Sequence, residues 1–497
     1  MLFNSFEFIL AFLPITLVGF FVIGRSVGRD AAIAFLVLAS MFFYAWWRPI
    51  YLLLIVGEIC MNFLLGRALL AQQGRPRSRA LITAVIVLNI LILGYFKYTL
   101  FLVGVFDQLT GTDYVVGAII LPLGISFHTF QQIAYLVDVY RGSVPRYRFL
   151  DYVLFVTFFP QLIAGPIVHH DEMLPQISSE KLTRFRLDNL CLGLSIFAIG
   201  LFKKTVIADS LAQIATPAFS AAEHGGLSAG IGWLGALAYT LQLYFDFSAY
   251  SDMAIGLARM FNITLPANFD SPYKAANIAD FWRRWHITLS RFLRDYLYIP
   301  MGGNRNGEIA SMAYVMITML IGGLWHGAGW TFVAWGGLHG IYIVLHRLVR
   351  RSGVYDRLIP FAIPRRLAGQ AVTLLLVVVA WVFFRAATFG AAGTMLAAMF
   401  GLNSAADSGV AFNIDRPWLL ILSAGAVALF APNVIDMFAA WRPVLPVDKS
   451  NQRLLIPVIQ KIKWRPTLVW GLAVGAWMSL GALAILGWQS EFLYFQF

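Results

Sequence analysis

The chain has 497 residues, of which 59% are apolar and only 12% charged, and its mean hydropathy is +0.73. Soluble domains carry roughly 25% charged residues, so the composition excludes a soluble globular protein. The net charge of +12 suits basic cytoplasmic loops and anionic lipid headgroups; no basic arm or nucleic-acid motif accompanies it, and no nucleic-acid partner is expected.

Taken in chain order, residues 8–23 lack the basic start of a signal peptide and are expected to stay as the first membrane helix. Segments 31–47, 80–95, 310–325 and 468–488 are nearly charge-free, and a helix needs about 20 such residues to cross the hydrocarbon core. Trp46–Trp47, Tyr95–Tyr98 and Trp488 read as interfacial anchors. The segments do not alternate as barrel strands do.

Loop charge sets the sides. Arg67, Arg75, Arg77 and Arg79 have no acid among them, which puts that loop in the cytoplasm. Counting back, the N-terminus is outside; counting forward, Asp107 and Asp113 fall outside and Arg141, Arg146 and Arg148 inside. Segment 150–168, broken by Pro160, Gly165 and Pro166, is expected to be re-entrant, since irregular backbone at that depth must be covered by protein or line a cavity. Residues 209–230 then fall outside. Stretches 262–308, 347–366 and 442–465 fall inside, and the C-terminus outside. The result is an all-α polytopic membrane protein with about 12 spans and one or two re-entrant or interfacial pieces. It forms one domain over 1–497, with the motifs in 120–350 and C-terminal helices over 368–497. Cys60 and Cys191 sit in apolar segments and read as buried, inert thiols. No internal repeat is evident, which counts against inverted-repeat transporters.

Ionisable groups inside spans are costly and are therefore functional candidates. Residues 234–260 carry Tyr244, Asp246, Tyr250 and Asp252; they could line a substrate cavity or form a buried network that fixes helix packing. Residues 280–296 interleave aromatic and basic groups, with Arg283, Arg284, His286, Arg291 and Arg294. A helix lying in the interface would suit them, binding either a coenzyme's anionic parts or lipid headgroups. Gly322-Gly-Leu-Trp-His326-Gly and Trp335-Gly-Gly-Leu-His339-Gly340 put imidazoles among glycines, with His326 at a break between apolar helices. Imidazole titrates near neutrality and suits a general base. Gly323/Gly327 and Gly336/Gly340 have the spacing of close helix packing. His169-His170-Asp171-Glu172 is not a metal site by spacing, since adjacent residues do not converge on one ion.

Several stretches in order carry a family resemblance. They are Tyr44-Ala-Trp-Trp47, Gly94-Tyr-Phe-Lys-Tyr98, Pro122-Leu-Gly-Ile-Ser-Phe127, Tyr135-Leu-Val-Asp-Val-Tyr-Arg141, Leu162-Ile-Ala-Gly-Pro166, Leu243-Tyr-Phe-Asp-Phe-Ser248, Phe281-Trp-Arg-Arg-Trp-His286, Gly302-Gly-Asn-Arg305, Leu324-Trp-His-Gly327 and Phe492-Leu-Tyr-Phe-Gln-Phe497. The chain resembles the membrane-bound O-acyltransferase (MBOAT) family, and most of all its bacterial branch that includes the alginate O-acetylation membrane protein. The resemblance implies a catalytic histidine at His326 and a second polar site at His286. It implies funnels from both faces, one for an acyl thioester and one for the acceptor. Acetyl-CoA is the expected donor substrate, with no bound cofactor and no metal. Arg283, Arg284 and Arg291 would meet its phosphates. His326 would deprotonate the acceptor hydroxyl or carry the acetyl, and His286 would orient the thioester or stabilise its oxyanion. Asp246, Tyr244, His339 and Trp325 would line the cavity.

The implied partners are membrane lipids, a periplasmic SGNH-type acetyltransferase and polysaccharide export machinery. The implied location is a bacterial inner membrane with both termini periplasmic. The acceptor stays open between alginate, cellulose, another exopolysaccharide and peptidoglycan. A transporter or flippase, or a scaffold in an export complex, would need many of the same intramembrane polar residues without acyl transfer.

Overall fold

In the computed structural model, residues 1–353, 357, 362–402, 409–446, 462–487 and 493 are described. Trp488, nearly all of the 492–497 motif, and parts of the basic stretches 347–366 and 442–465 lie outside the described residues. Among those described, every regular element is helical.

Among the described residues, eight helices are long and apolar enough to cross a membrane: Glu7–Ser26, Tyr51–Ala71, Pro76–Thr110, Leu187–His224, Glu308–His326, Trp330–Ser352, Pro364–Arg385 and Leu468–Gly487. This is fewer than the expected count of about 12 spans, and the shortfall has a physical origin. Arg29–Ala45 and Ile125–Tyr140 have 17 and 16 residues, and Phe389–Met399 and Pro417–Phe430 have 11 and 14. Ala229–Met260 has 32 residues, but Gln242, Asp246, Ser248, Ser251 and Asp252 interrupt its apolar run. The outer faces are those of a protein solvated by lipid. Leu53, Leu109, Ile309 and Leu468 are exposed, an arrangement unsuited to water. Within the most apolar stretch of Leu468–Gly487 only 6% of residues are buried, against 56% for Leu187–His224. The first therefore runs along the lipid boundary and the second inside the bundle. Cys191 is exposed and Cys60 half-buried, so the expectation of two buried thiols does not hold: the inward face of Leu187–His224 is taken by Asn189, Leu192 and Ser195 instead.

The chain groups into two compact units. The first comprises Met1–Gly200, Tyr250–Ala267 and Trp441–Val447. Its segment 149–168 is broken as the prolines and glycine demand. The helix Phe149–Thr157 has nine residues, too few to span, and a single turn Phe159–Leu162 follows. Residues 151–168 are all buried. The freed carbonyl of Phe155 accepts hydrogen bonds from the side-chain amides of Gln131 (3.0 Å) and Gln161 (2.7 Å), and the Phe159 N–H donates to Ser40 Oγ at 3.2 Å. Irregular backbone is thus satisfied by protein rather than left to hydrocarbon. A Cβ on Gly165 would run into the backbone of Gln161, so the tight turn admits only glycine. A buried polar lattice also links this unit's helices. His128 Nδ1 lies 3.0 Å from Glu58 Oε2, and Asn62 bonds Asn89 and Gln132, each at 3.0 Å.

The second unit comprises Leu201–Ala249, Asn268–Ala440 and Asp448–Phe497. At its centre Glu308–His326 packs along Trp330–Ser352, the two joined through Gly327–Gly329. A Cβ on Gly323 would meet the Phe332 carbonyl, and one on Gly336 the Met319 carbonyl. Gly323 faces Gly336 across the hairpin, and Gly340 faces Met316. Of the four glycines singled out by spacing, Gly327 alone lies past the helix end, against the Phe332 ring.

Residues 278–298 do not form the one interfacial helix expected. They form two short helices, Ile278–Arg284 and Ile287–Leu293, then a π turn Arg294–Tyr298. Two backbone bonds fold the chain back at the break: Asp270 N–H to the Arg284 carbonyl and Ile287 N–H to the Asn268 carbonyl, both 2.9 Å. His286 absorbs the turn in a left-handed conformation, φ 43°.

Candidate active site

His326 is the last residue of Glu308–His326, where the glycines that follow end the helix. It is 7% exposed. Trp325, Trp335 and Phe384 meet its ring edge-on, with centroids 4.8, 5.1 and 5.1 Å away, and Trp381 stacks on Trp335 at 5.6 Å. This aromatic shell keeps water from most of the imidazole, so any charge developing there is weakly screened.

His286 lies 6.3 Å from His326 between ring centroids and is fully buried. It sits on the edge of Phe247 at 4.8 Å. Its Nδ1 is 3.1 Å from Asn268 Oδ1, which also accepts from Thr288 Oγ1 at 2.9 Å. The hydroxyl contact marks Oδ1 as an acceptor, so Nδ1 carries the His286 proton. Burial pushes the His286 pKa down to about 3, and the ring is neutral with its lone pair on Nε2. The oxyanion role expected of His286 would need a donor at Nε2, which this tautomer lacks.

A donor that the spacing argument missed is Trp335. Its indole Nε1–H is buried without a hydrogen-bond partner among the described residues, in a ring packed against His326. His339, four residues on, is fully buried. Trp282 Nε1–H donates to His339 Nδ1 at 3.3 Å, so His339 Nε2 carries the remaining proton, again without a partner. Sheltered donors left unpaired in a native core call for an explanation, and a transient ligand is one. His286, His326, Trp325, Trp335 and His339 thus form one connected cluster.

The other expected residues go elsewhere. Asp246 forms an ion pair with Lys204 at 2.6 Å, and Lys204 also reaches Asp209 at 2.7 Å. All three are buried. Lys204 lies in a π turn, Lys203–Ala208, which re-aims the side chain within a long helix. The Leu493 N–H donates to the other Asp246 oxygen at 3.3 Å. Tyr244 packs on Tyr273 at 5.2 Å, with Lys203 5.8 Å over its ring. Arg284 donates to Asp280 Oδ1 at 3.1 Å and to the Asp270 carbonyl at 3.4 Å, which commits it to holding the fold-back. Arg283 is 65% exposed and loosely paired with Asp280 at 3.7 Å; Arg291 is half-buried. In the first unit, His170 Nε2 lies 3.4 Å from Asp138 and the His169 N–H donates to Glu172 at 2.9 Å, a helix-capping arrangement. Glu58 and His128 were missed, although an acid inside the apolar segment 51–71 was a visible signal.

Comparison with known proteins identifies the family. Residues 143–353, which contain His286, His326 and His339, match the model of the membrane-bound O-acyltransferase family. A peptidoglycan O-acetyltransferase of Helicobacter pylori is 46% identical over 430 residues, 81% of this chain and 80% of the relative. The probable alginate O-acetylase AlgI of Pseudomonas syringae is 42% identical over 407 residues, 80% of this chain and 75% of the relative. A teichoic acid D-alanyltransferase of Streptococcus thermophilus is 28% identical over 236 residues, 45% of this chain and 56% of the relative. The chain belongs to the membrane-bound O-acyltransferase family and is an O-acyltransferase.

Proposed function

We propose that the protein takes acetyl groups from cytoplasmic acetyl-CoA and passes them across the inner membrane for O-acetylation of an exported polysaccharide such as alginate. A periplasmic SGNH-type partner completes the transfer. The observation that carries this reading is the His326 imidazole, set at a helix break inside an aromatic shell with a second imidazole beside it. His326 takes the proton of the acceptor hydroxyl as its oxygen attacks the acetyl carbon, and returns a proton to the departing coenzyme A thiolate. In the covalent variant, the same ring holds the acetyl between the two half-reactions. His286, with its lone pair on Nε2, holds a hydroxyl. The Trp335 N–H is the donor available to the carbonyl oxygen as it gains charge.

A second reading of the acceptor, peptidoglycan, has support from the Helicobacter pylori relative. The test uses inside-out membrane vesicles given acetyl-CoA labelled in the acetyl group. Label should move to lumenal acceptor, and free coenzyme A should appear outside in equal amount. Labelled polysaccharide with unlabelled peptidoglycan selects the first acceptor, and the reverse pattern the second. Passage of label without release of coenzyme A would mean transport, and the acetyl-transfer reading would fall.

A further inference from the structure

The Gly302-Gly-Asn-Arg305 stretch has no part in the cluster around His326, yet it borders a cavity of about 640 Å³ in the second unit. Small-molecule sites span about 300–1,000 Å³, so this one exceeds what a bare inorganic ion needs. Its lining is Asn304, Gly307, Glu308, Ser311, Arg347, Arg350 and Arg351.

The lining is rich in donors and poor in acceptors. Glu308 is its one acid, and Arg351 pairs with it. Ser311 is buried, receives Arg347 at 3.0 Å and donates to Asn304 Oδ1 at 3.0 Å. Tyr298 OH also donates to Asn304 Oδ1, at 2.7 Å, which turns the Asn304 amide so that its NH₂ is left to donate. Among the described residues Arg350 has no hydrogen-bond or ion-pair partner, and Arg347 spends one of its five N–H groups on Ser311. Glu308–His326 begins at the rim with Gly307 as its cap, which offers no side chain to the first-turn N–H groups. Three guanidiniums, one carboxylate, a free amide and an uncapped helix start make a lining for an anion.

We propose that this cavity binds a phosphate ester. Two sources share that chemistry: the phosphorylated adenosine end of a coenzyme A thioester, and the phosphodiester headgroup of an anionic lipid. The first source rests on the donor proposed above; the second does not. Either way, phosphate recognition falls to Arg347, Arg350 and Arg351 in the last turns of Trp330–Ser352, at the open end of the His326 hairpin, rather than to Arg284, which the fold-back consumes.

The test uses the full chain in phosphatidylcholine nanodiscs, with adenosine 3′,5′-bisphosphate as the probe. Arg350→Ala is the main variant, because Arg350 supports no other group. Arg77→Ala, an exposed arginine in the first unit, controls for general charge. Binding of the bisphosphate, weakened about ten- to a hundred-fold by Arg350→Ala as loss of a charge-assisted bond requires, and unchanged by Arg77→Ala, supports the coenzyme source. If the bisphosphate does not bind, but phosphatidylglycerol raises the melting temperature of the wild type and not of Arg350→Ala, the lipid source holds. Neither response, or an equal loss in Arg77→Ala, overturns the proposal. Acetyl transfer by the wild type, assayed in the same samples, judges the proposed function separately: the pocket can fail while transfer persists.

Discussion

Two regions of the second unit carry polar groups at positions where a membrane helix should be apolar, and they resolve that cost in opposite ways. Around Lys204, every charge meets a countercharge. Lys204 lies between Asp246 and Asp209, and a backbone N–H takes the remaining Asp246 oxygen. Around His326, no charge pair is present among the described residues. The groups are imidazoles and indoles in an aromatic shell, and the N–H donors on Trp335 and His339 are left without partners among the described residues. Completed pairing fixes a fold, whereas donors kept waiting in a water-poor shell are preorganised for something that arrives. The same sequence signal, a polar residue in an apolar run, therefore stands for architecture in one place and chemistry in the other.

The comparison breaks first at Lys204. Lys204→Met leaves two buried carboxylates without their cation, and removing one partner of a buried pair costs about 3–5 kcal/mol. We expect the loss to appear as a lower melting temperature and a smaller monodisperse fraction in detergent, with activity falling only in step with folded protein. A folded Lys204→Met with no activity would move the triad into the chemistry. Next is the packing that aims His326. Gly336→Ala puts a methyl against the Met319 carbonyl; overpacking of this kind costs about 1–3 kcal/mol. Thermal unfolding should register it, together with a drop in turnover as the hairpin is forced apart.

His286 sharpens the contrast on the chemical side. Burial holds its pKa near 3, so the ring stays neutral throughout any workable assay range and gains a proton only below that. An acidic fall in rate between about pH 5 and 8 must then belong to a group of more ordinary pKa. His286→Asn should lower the rate without moving the inflection; a displaced inflection would show that His286 is itself the titrating group. The smallest effect is expected at His346, half-buried and facing a basic helix end. His346→Ala should change stability by no more than about 0.5 kcal/mol and leave acetylation of the exported polymer near the wild-type level.

The spans were legible because hydrocarbon leaves a chain few choices. Segments such as 310–325 and 468–488 announce themselves by the absence of charge, and the structure has Glu308–His326 and Leu468–Gly487 there. His326 was legible because glycines on both sides mark a helix end. What spacing could not show was partnership across long separations. Asp246 stayed open between a cavity lining and a buried packing network because Lys204, 42 positions earlier in the numbering, sits near the end of an apolar run where a lysine reads as an interfacial charge. Arg284 looked free to bind phosphate because, although Asp280 stands four residues before it, nothing in the motif reveals that the Asp270 carbonyl folds back onto it. The break at His286 was hidden for the same reason, since Asn268 makes it from 18 residues away.

The role of His326 is tested most directly by single-turnover acetyl transfer by purified His326→Ala in nanodiscs, with thermal unfolding recorded on the same sample. The predicted result is a rate about 10²–10⁴ lower, from protein that unfolds within a few degrees of the wild type and remains monodisperse. Transfer near the wild-type rate from folded His326→Ala would contradict it.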